Sequence, residues 1–372
     1  MIERLTLKNF KSIKDEVFDL EPLTLFSGLN GMGKSTVLQS MLLLRQSFEK
    51  HMLPNTGLSL TGEYINIGIG SDLLFNDAEE ECIDISLFWP NSSLDLHFEY
   101  RKTSDMQPIR MHDDNLTGTP FEESLFSSSF QYLSAERISP KTIYDVSDYA
   151  VNQHRSVGSK GEYTAHFLAE HGNDPITIKG YKHPSAKTEY LIDHLNAWMS
   201  EITPGTKVIA KLIPEINKAS LHYKFSSGNE LTGTFRPENT GFGLTYVLPV
   251  VTAILSARPG DLLLIENPES HLHPAGQSLV AKLIAIAAQN EVQIIIETHS
   301  DHFLNGIRMA VKSNLIDFEN VCAYFLSRNI ESSEHSALIE KVRIESSGRI
   351  NFWPKGFFDE WEKTLNFLIE SN

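Results

Sequence analysis

The stretch Leu23-Thr24-Leu25-Phe26-Ser27-Gly28-Leu29-Asn30-Gly31-Met32-Gly33-Lys34-Ser35-Thr36 decides the fold. Leu23 to Phe26 is an apolar run of strand length, and beyond the quoted stretch Val37, Met41, Leu44 and Phe48 recur at helical spacing. Between them, Gly28 to Ser35 fits G-x-x-x-x-G-K-S, with the strand before it and the helix after it that a P-loop requires. Its glycines let the backbone curl so that N–H groups point at nucleotide phosphates, and the helix N-terminus adds its dipole. Lys34 supplies a point charge to the outer phosphates, and Ser35 is placed to ligate Mg²⁺. Asn30, Gly31, Gly33 and Thr36 complete the expected ATP cradle. A glycine-rich turn with no ligand is the plain alternative, and the matched context on both sides argues against it.

Working outward, Asp261-Leu262-Leu263-Leu264-Ile265-Glu266 reads as a buried strand ending in a carboxylate, followed by Asn267-Pro268-Glu269-Ser270-His271-Leu272-His273-Pro274. An apolar strand that delivers an acid is how P-loop folds place a group on the Mg²⁺ water shell. Farther on, Gln293-Ile294-Ile295-Ile296-Glu297-Thr298-His299-Ser300 is another apolar strand, this one ending in a histidine.

With these segments the chain resembles the ABC-type ATPase superfamily, and within it the SMC, RecF and OLD branch. The resemblance implies an α/β head with a mixed central sheet flanked by helices, an antiparallel β subdomain and a partly helical insertion. It makes His299 the switch histidine at the γ-phosphate; a surface histidine after a strand is the plain reading. ABC heads also carry a signature motif at a helix N-terminus, used against the ATP of the other subunit. In Asn239-Thr240-Gly241-Phe242-Gly243-Leu244, Thr240 and Gly241 match it, whereas Phe242 and Gly243 depart from it. The plain reading here is a helix cap, which Asn239 or Thr240 would serve.

A second departure concerns the base. Aligned on Pro268, Glu266 takes the position of the metal-contacting Asp, and Asn267 that of the catalytic Glu. Asn267 cannot accept a proton, although its amide can orient a water. Either Glu269 or His299 does the base work, or hydrolysis is slow.

Asn9-Phe10-Lys11-Ser12, Leu44-Arg45-Gln46-Ser47, Tyr132-Leu133-Ser134-Ala135-Glu136-Arg137 and the tail Phe352 to Asp359 look like one bacterial group of compact SMC-like ATPases. In that group the C-terminal tail is a domain of unknown function. Members of the wider branch sit beside nucleases or other toxic effectors in antiphage defence, as in Septu-type and PARIS-type arrangements. Kinship thus implies a homodimer, or a higher oligomer, that controls a protein effector, a nuclease being the candidate. OLD-type relatives fuse a Toprim nuclease after the head; no Asp-x-Asp follows His299 here, so no nuclease activity of the chain itself is expected. A RecF-like repair ATPase acting directly on DNA is the alternative, and a transporter motor is the weakest reading.

Composition bounds these readings. The 372 residues are 41% hydrophobic and 22% charged, as in ordinary globular proteins. A net charge of −16 does not indicate DNA binding, so any basic face must be local. The best candidate holds Arg137, Lys141, Arg155, Lys160, Lys179, Lys182 and Lys187 with four histidines; a solvated helical surface is the favoured reading of it. Cys82 and Cys322 suggest neither a disulfide framework nor a zinc site. His271 and His273 with Glu269 could be imagined as metal ligands, but the resemblance places them in a dimer-contacting loop. The start MIERLTL has no signal-peptide character, and Leu244 to Leu255 is too short to span a bilayer and contains Pro249. A cytoplasmic protein without membrane contact is expected.

The chain organises as residues 1–140, an N-terminal lobe with the P-loop; 141–205, a helical insertion; and 206–372, a C-terminal lobe with the signature, acidic strand and switch histidine. Within these, Leu5 and Leu7 pair with Phe18 and Leu20 as antiparallel strands. Tyr64 to Ile67, Ile83 to Trp89 and Leu94 to Tyr100 read as strands. Residues 102–130 read as a surface loop, and Tyr190, His194 and Trp198 share a helical face.

Overall fold

Leu5 and Leu7 are fully buried while Thr6 and Lys8 between them are partly exposed, the period-two pattern of a strand with one covered face. They lie on β1 (Arg4–Phe10), which pairs antiparallel with β2 (Ile13–Asp19), Leu5 opposite Phe18. The chain continues through β3 (Leu23–Gly28), α1 (Lys34–Glu49), β4 (Gly57–Ser59), β5 (Cys82–Phe88), β6 (Ser93–Glu99), β7 (Met106–Arg110) and β8 (Leu116–Thr117). The computed structural model describes every residue except 29–30, 111–115, 228–229, 329–335, 355, 359–363, 366 and 370–372. It divides into two compact units: Met1–Phe126 with His299–Asp301 and Val321–Asn372, and Ser127–Thr298 with His302–Asn320.

In the first unit, β2-β1-β5-β6-β7-β4 form an antiparallel sheet, with β8 on β6. Two expectations fail here. Tyr64 to Ile67 is not a strand, because its polar groups turn to α1: Ile65 N donates to Gln46 Oε1 at 3.3 Å and Tyr64 Oη to Glu49 Oε1 at 2.8 Å. Residues 102–130 are not one loop, since β7 and β8 lie within them. Gln107 on β7 is fully buried, its amide bonded to Arg101 and Ser104, so a polar residue fills a core position.

α1 is buried nearly all round, Arg45, Gln46 and Ser47 included. Arg45 Nη1 donates to Leu125 O at 2.9 Å, Gln46 Nε2 donates to Ser59 O at 2.8 Å, and Ser47 Oγ accepts from Ser59 N at 2.8 Å. Gln46 and Ser47 therefore fasten β4 to the helix, and Arg45 ties the helix to Leu125.

The second unit opens with β9 (Phe130–Leu133), β10 (Ile143–Asp145), α2 (Thr164–His171), α3 (Leu191–Ile202), β11 (Thr206–Ile213), β12 (Lys218–Ser227) and β13 (Glu230–Leu231). It continues with α4 (Phe242–Ser256), β14 (Leu262–Glu266), α5 (Pro274–Gln289), β15 (Gln293–Glu297) and α6 (Asp301–Lys312). β9, β14 and β15 run parallel, Leu264 opposite Tyr132 and Ile295, and β15 is buried throughout, as helix-covered parallel strands are. β10, β12 and β11 form a separate antiparallel sheet, with β13 on β12. α3 buries His194 and Trp198 as expected, but Tyr190 is its exposed N-cap residue.

The chain returns to the first unit with β16 (Val321–Ser327), parallel to β3, and β17 (Leu338–Arg343), antiparallel to β16. Among the described residues no helix is long and apolar enough to cross a membrane.

Candidate functional site

In the first unit, β3 and α1 frame the P-loop. A side chain on Gly28 would put Cβ 2.1 Å from the carbonyl oxygen of Leu326 on β16, so only glycine lets the two backbones pack at this strand end. Gly33 is the N-cap of α1 at φ 92°, and a Cβ there would meet Ser12 Oγ at 2.2 Å. Ser12 sits in the β1–β2 turn and was noticed in the sequence only as part of a resemblance. No side chain caps α1 and no acidic residue lies in its first turn, so its leading N–H groups form an anion-seeking end. Lys34 opens the helix with 3% of its surface exposed, and Ser35 and Thr36 follow in the same turn. Gly31 has φ 77°; Asn30 lies outside the described residues. His299 belongs to this unit and reaches solvent, yet desolvation and the Lys34 ammonium hold its imidazole below the ordinary value. The donor set of backbone amides, a lysine and two hydroxyls fits a polyphosphate with Mg²⁺.

In the second unit, β14 delivers Glu266. One carboxylate oxygen accepts from Tyr132 Oη at 3.0 Å, the other from Ala135 N at 2.9 Å. Burial, then the charge of Glu266, holds the Tyr132 phenol well above its ordinary value, so it stays a donor. Arg137 is buried and donates to Glu266 O at 2.7 Å and Asn267 O at 3.0 Å. Burial lowers its guanidinium to about 10, still charged at neutral pH. Asn267 takes the left-handed backbone at φ 44°, its N–H donating to Glu297 O at 2.8 Å. Its Oδ1 is enclosed with no donor among the described residues. Glu269 is buried and accepts from Thr298 Oγ1 at 2.8 Å. Tyr132, Arg137 and Thr298 were not predicted as site residues; the signal for two of them was a strand-length run ending in arginine.

Gly241, not Asn239 or Thr240, is the N-cap of α4, and no side chain caps that helix; Thr240 Oγ1 donates instead to Pro237 O at 2.8 Å. Gly243 has a packing reason: a Cβ there would lie 2.6 Å from His271 O. Tyr246 stands edge-on to the His271 ring at 4.6 Å, and Phe242 beside them is 56% exposed. His273 caps α5 by accepting from Ala275 N at 3.4 Å, and among the described residues no three His, Cys, Asp or Glu side chains converge on a metal position.

Four of the seven cations in the candidate basic stretch are buried or paired. Arg137 is buried, Arg155 pairs with Asp174, Lys160 with Glu136 and Lys182 with Glu189.

A family model described as "AAA domain, putative AbiEii toxin, Type IV TA system" matches residues 88–305, more than half of the chain. The chain belongs to this AAA-domain family. A second model, an AAA ATPase domain, matches residues 1–167 of this AAA-family chain, and one of unknown function (DUF3696) matches 316–368. A comparison with curated proteins gives no match. The fold is similar to that of the Smc head bound to the C-winged helix domain of ScpA: 15% identity, TM-score 0.56, covering 93% of this chain and 99% of that one. It is also similar to an Smc head with an extended coiled coil, bound to the C-terminal domain of ScpA derived from Pyrococcus furiosus: 14% identity, TM-score 0.50, covering 99% and 98%. This AAA-family chain thus has the fold of an SMC head.

Proposed function

We propose that the chain binds and hydrolyses ATP as a homodimer, and that its nucleotide state controls a separate effector protein, a nuclease of antiphage defence being the candidate. The observation that carries the nucleotide reading is Lys34 at the head of α1, behind left-handed Gly31 and Gly33, with His299 within its electrostatic reach. Bound Mg²⁺ would neutralise charge on the transferring phosphoryl group. Gly31, Gly33, Lys34, Ser35 and Thr36 bind the phosphates, Ser35 and Glu266 hold the metal, and His299 in its neutral form contacts the γ-phosphate. Tyr132 and Ala135 fix the Glu266 carboxylate in one orientation. Asn267 orients the attacking water through its amide, and Glu269, held by Thr298, takes the proton. Thr240 and Gly241 serve the nucleotide of the second copy, the uncapped start of α4 giving them N–H donors.

Residues 102–205 are the docking surface for the effector, since the nucleotide chemistry draws from them only on Tyr132, Ala135 and Arg137. The ion pairs Lys160–Glu136 and Lys182–Glu189 disfavour direct DNA contact there, since each places a carboxylate beside the cation.

Two measurements test the two parts. Lys34→Ala should abolish ATP hydrolysis; wild-type turnover in that variant sinks the nucleotide reading. For the effector, the tagged chain is expressed with its chromosomal neighbours, purified, and assayed on plasmid, single-stranded DNA and tRNA with Mg²⁺ and ATP. A stoichiometric partner that carries the cleavage supports the reading, and cleavage by the chain alone that depends on its own residues refutes it.

A further inference from the structure

In the second unit β11 closes one side of the β10-β12-β11 sheet and is therefore an edge strand. Gly205 O accepts from Ser226 N at 2.8 Å, and Lys211 O accepts from Ser220 Oγ at 3.3 Å. With the β11–β12 register, these bonds direct the backbone groups of odd-numbered residues to β12 and those of even-numbered residues out of the sheet. The first two outward N–H groups are closed by α3 and the turn after it. Val208 N donates to Asn196 Oδ1 at 2.6 Å, and Thr206 N to Thr203 O at 3.1 Å. Beyond Val208 the closure stops. Ala210 and Leu212 send N–H and C=O outward with no hydrogen-bond partner among the described residues, and Leu212 is exposed.

The same register sorts the side chains. Val208 opposite Tyr223 and Leu212 opposite Ala219 lie on the face that α2 covers. On the other face Lys207 stands opposite Lys224, Ile209 opposite His222, Lys211 opposite Ser220 and Ile213 opposite Lys218. Lys207 and Lys211 are exposed, and Lys224 is partly so. Lys218 pairs with Asp145 at 2.5 Å, whereas Lys207, Lys211 and Lys224 pair with no carboxylate among the described residues. In a chain of net charge −16 this face is locally cationic. Like charges directly opposite on neighbouring strands are destabilising, so the Lys207–Lys224 pair weakens the sheet until anions arrive. Lysines along an edge deter neutral and basic strands from pairing, but Lys224 is on the central strand and has no such role.

We infer that β11 is a docking edge for an extended, acidic segment of a partner protein, which adds to the sheet as a further strand. Its main chain bonds to Ala210 and Leu212, and its carboxylates lie over Lys207 and Lys211. Its alternate side chains point to the other face, beside Leu212. A second copy of this chain is disfavoured, because pairing two β11 edges brings two rows of lysines together. A nucleic acid would meet the charge and leave the strand edge unpaired. The edge lies outside residues 102–205 and uses none of the residues proposed for ATP.

The test is fluorescence anisotropy of the full chain with a labelled heptapeptide of alternating Glu and Val, blocked at both ends. Lys211→Glu and Lys207→Glu should each weaken binding at least about tenfold, an attraction turned into repulsion. Lys207→Glu sets a carboxylate opposite Lys224, so it should melt no lower than the wild type, which separates lost binding from unfolding. Methylating one alternate set of peptide amides should abolish binding and methylating the other should not, because only one set faces the edge. The same peptide with Lys for Glu should not bind, and a single-stranded oligonucleotide should bind at least about tenfold more weakly. Lys34→Ala should leave peptide binding within about twofold. Several results overturn the docking edge: no binding at about 1 mM peptide, binding indifferent to Lys211→Glu, or binding lost with Lys34→Ala. An equal response to the two methylated sets, or an oligonucleotide or the Lys peptide matching the Glu peptide, overturns it as well.

Discussion

The guanidinium of Arg137 donates to two successive backbone carbonyls, Glu266 O at 2.7 Å and Asn267 O at 3.0 Å, and so fixes the peptide at which β14 gives way to a left-handed turn. A lysine has one nitrogen and cannot span both acceptors with the same planar geometry. Arg137→Met would leave two carbonyls without this donor, at about 1–3 kcal/mol each. We expect Arg137→Met to lower the melting temperature by about 5–10 °C, scaled to a unit of this size. Arg137→Lys should recover part of that loss while ATP turnover stays depressed. A melting curve unchanged in Arg137→Met would remove Arg137 from this role.

The dimer is tested by mass. Two copies related by a twofold axis supply each nucleotide with a P-loop from one copy and Thr240-Gly241 from the other. Light scattering of Glu266→Gln, which should bind ATP without consuming it, is expected to show a doubled mass with ATP and Mg²⁺ and a monomer without them. A monomer that demonstrably holds ATP sinks the claim.

Turnover and backbone strain meet at Asn267. Its φ of 44° is tolerated by asparagine and glycine and costs other residues about 1–2 kcal/mol. Asn267→Gly should keep the fold and lose turnover, because only the amide is removed. Asn267→Glu should pay that strain in stability whatever it does to the rate. Wild-type turnover is expected below about 1 s⁻¹, the lower end of the common enzyme range. Glu269→Gln should slow it further, and an unaffected Glu269→Gln rate would exclude Glu269 as the base.

His299 provides the pH dependence. Desolvation first, and the Lys34 ammonium second, favour the neutral ring in the folded state. Because the folded-state pKa is the lower one, the folded chain binds fewer protons here than the unfolded chain. This contribution to stability is present above the unfolded value near 6.5 and is lost as pH falls through the folded one. Histidine titration by NMR should place His299 below the ordinary histidine value of about 6.5. Lys34→Met should raise it part of the way only, since desolvation is the larger cause. An unshifted His299 in Lys34→Met would show that the charge does not reach it.

How much of this was legible beforehand varied with the range of the interaction. The P-loop was readable because its chemistry is local: Gly28, Gly33 and Lys34 act through backbone curvature and a helix N-terminus, which sequence neighbours define. β14 and β15 were readable because strands buried on both faces are apolar runs. Tyr64 to Ile67 and β7 misled for the opposite reason. An apolar-polar alternation lost its ladder to the side chains of Gln46 and Glu49, and a polar stretch gained a core position through the amide of Gln107. Both outcomes turn on hydrogen-bond partners distant in sequence.

By itself, the sequence determined the P-loop, the two apolar strands that lead to Glu266 and His299, and hence the class of fold. Each of these is specified by residues within one turn or one strand of each other. Only the tertiary structure decided that Arg137 is a buried clamp and not a surface cation. It alone showed that Gly241 caps α4 while Thr240 turns to Pro237, and that Lys207 and Lys224 stand opposite one another on one sheet face. Charge and capping signals in a sequence give the type of group. Whether a guanidinium meets water, a carbonyl or a ligand depends on which distant strand lies beside it, and that is a property of packing.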